Sequence, residues 1–375
     1  MNVIMIRSNA INPDVRLEKE ATSLAEAGYT VKLLGWDRDG HAPRTERRAG
    51  YSIQRIPLQA HYGGRKVFFY LPIYWMIVFF QLLNDEWDIV HAADFDTYPP
   101  ALLAAKIKRK RIIYDIFDFY ADLVPLPKSL RNCVAYLDTF LMRFADALII
   151  VDPSRLKQIG RAEGLRVTIL FNTPEDLDTS SKNFHTPEGS PFMILFAGIL
   201  IPGRDFESII QAGKDIDDIH ITFAGFGPLT ERVKSLGNQF PYVTFIGTIP
   251  HSEVIQRTLQ SDLLFAFYDP GIPNNRYSSP NKLFEAMMCG KPILVNDGTS
   301  MAEIVREENC GIVVPYGDVN AIRHAIMRLK DDPQLGKHLG ANGRRAYEQK
   351  YSWAIMKERQ LALYKKIQRL NRSGR

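Results

Sequence analysis

The sequence is poor in cysteine and lacks the short motifs of the commonest cofactor and metal sites. Only three cysteines occur in 375 residues, far apart and without paired spacing, which argues against a disulfide framework and a structural zinc site. There is no P-loop sequence, no H-E-x-x-H, and no glycine in residues 8–14, which follow the first apolar run. A nucleotide-binding P-loop, a zinc protease site and a dinucleotide fingerprint in the first half are therefore not expected.

The overall composition is that of an ordinary globular chain. It is 46% hydrophobic and 24% charged, which excludes disordered and collagen-like classes. At about 150 residues per domain, the length predicts two or three domains. The first residues show neither a basic stretch ahead of an apolar core nor a small-residue cleavage site, so we expect no signal peptide and a cytoplasmic location.

One apolar segment, 67–83, raises the question of a membrane. It contains seven aromatic residues and Gln81 as its single polar residue, and it just reaches the lower length limit of a spanning helix. Because predicted strands of one sheet flank it, we expect a helix at a membrane surface, with packing in the protein core as the alternative. The preceding Arg65 and Lys66 suit the water–lipid boundary.

Two basic clusters, at 106–111 and after Met356, point to an anionic partner. Anionic lipid and phosphorylated substrates fit such patches, and solvated helix ends are the alternative. We do not expect nucleic acid as a partner.

Short apolar runs alternate with helical patterns along the whole chain. Runs that are apolar on consecutive residues predict parallel strands covered on both faces. Their order with the helices predicts α/β domains with doubly wound sheets, in which ligands bind beyond the carboxyl ends of strands. The predicted strands are 3–6, 30–35, 52–56, 88–92, 112–116, 147–151, 168–171, 192–197, 220–224, 243–246, 263–267, 292–295 and 311–314.

A polar, proline-containing stretch without periodicity divides the chain. We predict a first domain over 1–174, a linker over 175–190 and a second domain over 191–350. The last segment, 351–375, predicts an amphipathic helix with a basic tail, able to cap either domain or to cross back to the first.

Two glycine-containing turns in the second half are candidate phosphate sites. Gly198 ends a predicted strand and Arg204 follows it just before a helix, while 225–228 repeats the strand–glycine–helix pattern. Backbone N–H groups at a helix start and a guanidinium both favour phosphate oxygens. Tight βα turns without a ligand are the alternative.

The most informative stretch is 278–292. A helix that opens at Pro280 and Asn281 places Lys282 in its first turn and Glu285 one turn further. A carboxylate in that position can accept two hydrogen bonds from a vicinal diol such as ribose. An exposed helical glutamate without function is the alternative.

With these segments in order, the sequence resembles the retaining glycosyltransferases of family four, which have the GT-B fold of two Rossmann-like domains facing across a cleft. The likeness covers nearly the whole chain. The matching segments are Asp14–Arg16, Leu24–Val31, Asp88–His91, Tyr114–Asp115, Asn172–Pro174, Gly198 with Arg204, Gly225–Pro228, Ser261–Asp262, Glu285–Met287, Gly290–Pro292 and Glu303.

The resemblance implies transfer of a sugar from a nucleoside diphosphate sugar to an acceptor on the first domain, with retention and without a metal or other cofactor. For the acceptor, the aromatic segment and the basic clusters suggest a lipid-linked saccharide or another glycoconjugate precursor, at the inner face of the membrane. Glu285 would hold the donor ribose, and Arg204 with Lys282 would neutralise the leaving diphosphate. The further donor-binding residues would be Gly198, Gly225, Gly227, Ser279 and Asn281. The acceptor or cleft residues would be His91, Asp118, Asn9 and Arg16.

Three positions depart from the family pattern. Tyr277, Ile199 and Phe117 stand where the family commonly has Glu, Arg and His; Lys282 and Ser279 would take over part of the missing glutamate's role. The departures keep open a catalytically silent protein that binds sugar nucleotides. A sugar-nucleotide epimerase of the same fold is disfavoured, because the sequence shows no convincing pair of acid/base carboxylates. Alternatives also remain for the first domain: His91 as a hydrogen-bonded strand-end histidine and Asp118 as a turn cap.

Overall fold

A computed structural model describes residues 1–60, 67–123, 126–160, 164–176 and 189–372. It divides into two compact units, one of Met1–Phe171 with Met356–Arg375 and one of Asn172–Ile355. Most of the predicted linker, the basic pair Arg65–Lys66 and the end of the basic tail lie outside the described residues. The predicted linker boundaries therefore stay a prediction.

Each unit is built around one sheet, and the predicted strands are present in both. The strands of the first unit are β1 (Asn2–Arg7), β2 (Thr30–Asp37), β3 (Thr45–Arg48), β4 (Tyr51–Pro57), β5 (Ile89–Ala93), β6 (Arg111–Ile116), β7 (Ala147–Ile150) and β8 (Val167–Ile169). Those of the second are β9 (Phe192–Ile199), β10 (Ile219–Phe226), β11 (Val243–Phe245), β12 (Leu263–Ala266), β13 (Ile293–Asn296) and β14 (Gly311–Val314).

Helices connect the strands, and the last helix follows both sheets. They are α1 (Val15–Glu26), α2 (Val67–Asn84), α3 (Tyr98–Lys108), α4 (Tyr120–Leu123), α5 (Lys128–Leu141), α6 (Arg155–Ile159), α7 (Glu207–Gly213), α8 (Thr230–Gln239), α9 (His251–Gln260), α10 (Pro273–Arg276), α11 (Asn281–Met288), α12 (Ser300–Glu308), α13 (Val319–Asp331), α14 (Pro333–Ala346) and α15 (Trp353–Arg372). A 3-10 turn at Met142–Phe144 and a π-helical turn at Tyr347–Tyr351 complete the described elements.

Both sheets have the strand order of a doubly wound fold, which confirms the predicted fold class. The first has the order β3-β4-β2-β1-β5-β6-β7-β8 and the second β11-β10-β9-β12-β13-β14. Neighbouring strands run parallel, with the exception of β3, which is antiparallel to β4. The sequence analysis missed β3 because Thr45–Arg48 is an entirely polar edge strand.

The start of α1 shows how the sequence encodes a helix boundary. Asp14 Oδ1 accepts a hydrogen bond from the backbone N–H of Leu17 at 3.1 Å, and Glu18 Oε1 accepts one from the N–H of Asp14 at 2.9 Å. This reciprocal cap satisfies two backbone donors that the helix itself leaves without acceptors. The first helix therefore begins directly beyond the carboxyl end of β1.

The aromatic helix α2 packs on the first sheet with one side and is exposed on the other. Its buried side chains include Leu71, Tyr74, Val78 and Leu82, and the Tyr74 ring stacks on Trp36 of β2 at 4.3 Å between ring centres. Among the described residues, none of the helices combines the length and apolar character needed to cross a bilayer.

The side chain of Asp138, in α5, is a fully buried carboxylate of the first unit. The Tyr114 hydroxyl donates a hydrogen bond to its Oδ1 at 2.9 Å, while Oδ2 has no partner among the described residues. Burial raises the pKa of Asp138 to about 7, although the Tyr114 hydrogen bond opposes the shift. The folded protein therefore binds this proton more tightly than the unfolded chain does.

Replacing Asp138 by asparagine should stabilise the first unit at alkaline pH. A carboxyl group whose pKa rises on folding contributes stability below its unfolded pKa, and that contribution is lost as the pH rises through the folded value. Since one pKa unit corresponds to about 1.4 kcal/mol, we expect Asp138→Asn to raise the free energy of unfolding by a few kcal/mol at pH 8. The gain should shrink steadily toward pH 4. Urea unfolding at both pH values measures it, and an effect independent of pH would contradict the assignment.

Candidate functional site

The second unit contains a cavity of about 360 Å³ at the carboxyl edge of its sheet. The ends of β9 and β10, the loop after β11, Tyr268 after β12 and the first turns of α11 line it. The strand order reverses at β9 and β12, and such a switch point is where doubly wound sheets bind ligands. The fold therefore places this cavity where a ligand site is expected.

Glu285 reaches the cavity from α11 and is only 6% exposed. Its Oε1 lies 3.2 Å from Nε2 of His251, the first residue of α9. The His251 side chain is largely exposed and lines the same cavity. Sequence reasoning missed this histidine, although its place just beyond β11 is a usable signal. The pair therefore presents a buried carboxylate whose Oε1 is already oriented by the imidazole of His251.

Lys282, in the first turn of α11, rests against the end of β9. Its Nζ lies 4.4 Å from the ring centre of Phe196, within the range of a cation–π contact. A Cβ atom on Gly198 would collide with this ammonium group, and one on Gly225 would collide with the Gly198 carbonyl oxygen. The two glycines are paired in register across β9 and β10, so they have a packing role that places the lysine at the cavity.

Arg204 is the second cation of the cavity. Its guanidinium carbon lies 3.3 Å above the ring centre of Tyr268, and Nη1 donates a hydrogen bond to Asn275 Oδ1 at 2.5 Å. A ring on one face and an amide at one edge fix the direction of the planar group. Arg204 lines the cavity, whereas no residue of the following helix α7 is among its lining residues.

Most of the predicted donor residues are brought together, and two lie outside the cavity. Gly227 approaches the carbonyl of Leu200 instead. Ser279 is buried, and its hydroxyl has no hydrogen-bond partner among the described residues. Ile199 lines the cavity with an apolar side chain. The predicted residues that line the cavity are Gly198, Arg204, Gly225, Asn281, Lys282 and Glu285.

In the first unit, Arg16 and His91 belong to a buried polar network. Arg16 Nη2 donates to both carboxylate oxygens of Asp115, at 2.9 and 3.0 Å, and its Nε donates to Glu20 at 3.0 Å. His91 Nε2 lies 3.3 Å from Asp115 and Nδ1 lies 2.8 Å from the Tyr364 hydroxyl of α15. His91 is fully buried, which differs from the expectation that it faces a cleft and agrees with a hydrogen-bonded strand-end histidine.

The ligand atoms of Glu20, His91 and Asp115 lie within 4.8 Å of one another, a spacing that could suit a metal ion. Burial raises the pKa of Glu20, the Asp115 carboxylate adds to this shift, and Arg16 opposes it. Because the Arg16 guanidinium already contacts both carboxylates, we assign the cluster to charge-compensated packing. A cation would have to displace that guanidinium, so the donor set fits a metal poorly.

Of the other two acceptor candidates, Asn9 stabilises a local turn and Asp118 pairs with a distant arginine. Asn9 Nδ2 donates to Asp14 Oδ2 at 2.9 Å, and Asn9 Oδ1 accepts from the backbone of Ile11. Asp118 accepts a hydrogen bond from Arg155 Nη2 at 3.2 Å, and its side chain remains 42% exposed. Of the four acceptor candidates, Asn9 and Asp118 are therefore partly accessible, whereas Arg16 and His91 are buried.

Sequence reasoning missed two aspartates that follow β5. Asp94 forms an ion pair with Arg7 of β1. Asp96 is buried, with Oδ1 unpartnered among the described residues, and burial, followed by repulsion from Asp94, raises the pKa of Asp96 to about 6. The ring of Phe117 contacts the guanidinium groups of Arg7 and Arg16, at 4.2 and 4.0 Å. The sequence signal that could have identified the two aspartates is their position as polar residues directly after a buried strand.

Comparison with known proteins identifies the family. Residues 13–172 match the model of the glycosyl transferase 4-like domain, and residues 178–346 match that of the glycosyl transferases group 1. The chain is 23% identical over 269 residues to an uncharacterised glycosyltransferase of Methanocaldococcus jannaschii, over 71% of this chain and 72% of that protein. It is 26% identical to a GDP-mannose-dependent monoacylated phosphatidylinositol monomannoside mannosyltransferase of Corynebacterium glutamicum, over half of each chain.

Solved structures agree in fold. Sucrose-phosphate synthase from Thermosynechococcus elongatus aligns with a TM-score of 0.78 at 17% identity, over 98% of this chain and 99% of that one. Anabaena HepE in complex with UDP-glucose aligns with a TM-score of 0.70 at 15% identity, over 98% of this chain and all of that one. These likenesses show the GT-B fold, and the two domain matches show that the chain belongs to family four of the glycosyltransferases, the glycosyl transferases group 1.

Proposed function

We propose that this glycosyltransferase moves a sugar from a nucleoside diphosphate sugar to an acceptor with retention of anomeric configuration and without a metal ion. The observation that carries the proposal is the cavity of the second unit, in which a buried glutamate and two cations line one surface. A nucleoside diphosphate has the complementary chemistry, since it joins a vicinal diol to a doubly charged diphosphate. The acceptor, bound by the first unit, is a lipid-linked saccharide or another glycoconjugate precursor at the inner face of the cytoplasmic membrane.

Each of the three charged side chains has a distinct role in this proposal. The Glu285 carboxylate accepts hydrogen bonds from the ribose hydroxyls. Lys282 and Arg204 bind the diphosphate, and they stabilise it more strongly as the bond to the anomeric carbon breaks and negative charge grows on the leaving oxygen. The N-cap residue of α11, Pro280, makes no side-chain hydrogen bond to the first turn, so the backbone N–H groups of that turn add a partial positive charge on the same side.

The relatives support the donor class but not one particular base. The corynebacterial relative is a GDP-mannose-dependent enzyme, whereas HepE was crystallised with UDP-glucose. In our proposal both nucleotide classes are candidates for this chain, and the choice depends on the loop residues around His251.

A thermal-shift panel tests the donor class. UDP-, GDP- and ADP-sugars are added to the metal-free protein, with NAD as a control, since a ligand that binds only the folded state raises the melting temperature. We expect one nucleotide family to raise it and NAD to have no effect. That donor then enters a transfer assay with EDTA, and NMR of the product reports the anomeric configuration. Loss of transfer in EDTA, or an inverted product, would overturn the corresponding part of the proposal.

A catalytically silent protein that binds sugar nucleotides is the second candidate. The apolar side chain of Ile199, 52% exposed at the cavity, stands where the family commonly has arginine, and this favours weaker donor activation. Binding of a sugar nucleotide without release of the nucleoside diphosphate, across a panel of acceptors, would select this candidate. Turnover of any donor would exclude it.

A further inference from the structure

We propose that the outward face of α2, α3 and α5 in the first unit is a docking surface for an anionic membrane. The inference goes beyond the donor chemistry, and it rests on the proposed function only in that a lipid-linked acceptor gives such docking a purpose. We call this face the helical face, defined by the exposed apolar side chains Phe69, Ile73, Met76, Ile77 and Phe80 of α2, Leu103 and Ile107 of α3, Leu130, Tyr136, Leu137 and Phe140 of α5, and Phe144 of the following turn.

The exposed apolar residues of α2 form one stripe. Phe69, Ile73, Met76 and Phe80 follow the spacing of four, three and four residues that keeps side chains on one side of a helix. Phe69 is 78% exposed, Met76 56% and Phe80 59%. A helix that only packs in a core would present polar residues on this side, so the exposed stripe requires a separate explanation.

The other two helices extend the same surface. Lys108 of α3 donates hydrogen bonds to backbone carbonyls at the end of α2, including that of Leu83 at 3.0 Å. Lys106 donates to the carbonyl of Phe144, in the turn that follows α5, at 2.9 Å. Their bonds join the three helix ends, and all three helices contribute to one core cluster with the first sheet. The ends of the three helices therefore lie next to one another, on the same core.

The exposed charges within the three helices have a single sign. The three helices contain one carboxylate, Asp138, and it is fully buried. The exposed or half-buried charged residues within the helices are all basic. Further basic residues follow α3 and α5, while Asp85 and Glu86 follow α2. Lys108 is bonded to backbone carbonyls and Lys110 to Asp88. The remaining cations are Lys106, Arg109, Lys128, Arg131 and Arg143.

An anionic bilayer matches this combination of features. Aromatic and aliphatic side chains insert at the boundary between headgroups and acyl chains, and lysine and arginine bind the phosphates. Each basic residue near an anionic surface adds attraction that falls with salt. A second copy of this chain would place the same basic face against itself, and the described outward residues of these helices offer no carboxylate to compensate the repulsion.

Vesicle flotation of the full chain tests the proposal. We expect binding to vesicles that mix phosphatidylglycerol with phosphatidylcholine, weaker binding to phosphatidylcholine alone, and weakening with salt. Met76→Asp should reduce binding to the mixed vesicles about tenfold, since it replaces an inserted apolar side chain with a charge. Lys106→Glu combined with Arg109→Glu should reduce the preference for phosphatidylglycerol. Met327→Asp, at an exposed methionine of α13 in the second unit, is the matched control and should leave binding unchanged.

The outcomes separate this proposal from the proposed function. Absence of wild-type binding to the mixed vesicles at low salt, or equal binding by the wild type and Met76→Asp, would overturn the docking surface. Dimerisation that Met76→Asp abolishes, with no vesicle binding, would assign the face to a second copy. The thermal shift with sugar nucleotides reports on the second unit, and Met76→Asp should leave that shift intact in every case.

Discussion

Sugar transfer by Lys282→Ala is expected to fall by about a hundredfold to a thousandfold in kcat, the range found when one donor that stabilises transition-state charge is removed. In our proposal Lys282 meets negative charge that develops on the leaving diphosphate. Its Nζ is held at the end of β9 against the ring of Phe196 and the bare backbone of Gly198. Truncation removes this cation from the ligand side of the cavity, so the fold should be kept while the chemical step slows.

The matched control for Lys282 is a lysine in the same unit with a similar aromatic contact. Lys234 of α8 has its Nζ 5.9 Å from the ring centre of Phe245 and lies outside the cavity lining. Lys234→Ala should therefore keep the wild-type kcat. Steady-state rates with the donor selected by thermal shift measure both variants, and circular dichroism verifies folding. A kcat of Lys282→Ala within about threefold of wild type, far inside the expected range, would remove this lysine from the diphosphate site.

Glu285→Gln is expected to weaken binding of the nucleoside diphosphate by about a hundredfold. The proposed ribose contact consists of two hydrogen bonds to a charged acceptor, each of which contributes about 1.5 to 3 kcal/mol. Glutamine keeps the size of the side chain and one acceptor oxygen, so it loses the charge and one of the two bonds. Because Glu285 is buried, its hydrogen bonds are weakly screened by solvent.

Calorimetric titration with the nucleoside diphosphate measures this loss of affinity. Glu253→Gln, on α9 and paired with Arg257, is a matched exchange outside the cavity lining and should bind as the wild type does. His251→Asn tests whether the histidine orients Glu285. A positioning role predicts a smaller loss than in Glu285→Gln. Unchanged affinity in Glu285→Gln would overturn the ribose assignment without affecting the roles of the cations.

The second half of the chain was the more predictable part, for a physical reason. Its strands are continuous apolar runs, and the turn residues Gly198 and Gly225 mark the strand ends at which ligands bind. The helix over 281–288 begins at the predicted Pro280. Local sequence was therefore enough to predict the strands and helices of this half, and to predict at which of their ends the polar residues lie. His251 was missed because its role depends on the distance to Glu285, which lies 34 residues further along the chain.

The first half was less predictable because its polar residues are organised by distant contacts. The residues around His91 do not indicate that the hydroxyl of Tyr364, 273 residues away, forms a hydrogen bond with one of the ring nitrogens of His91. Arg16 lies near the start of the first helix, yet its partner Asp115 is 99 residues away. Sequence patterns show on which face of a helix or strand such a residue lies. They do not show whether a distant residue of the same chain already forms hydrogen bonds with its side chain.

The position of α15 determines when the first unit can be completed during synthesis. The second unit is one continuous stretch of chain, whereas the first unit combines residues up to Phe171 with residues from Met356 onward. During translation the first sheet leaves the ribosome long before the hydroxyl of Tyr364 can reach His91 and the side-chain amide of Gln360 can reach the backbone of Glu20. Until α15 has been synthesised, the ionic cluster of the first unit that α15 covers remains open to water. The native first unit is therefore completed after the second unit has been synthesised.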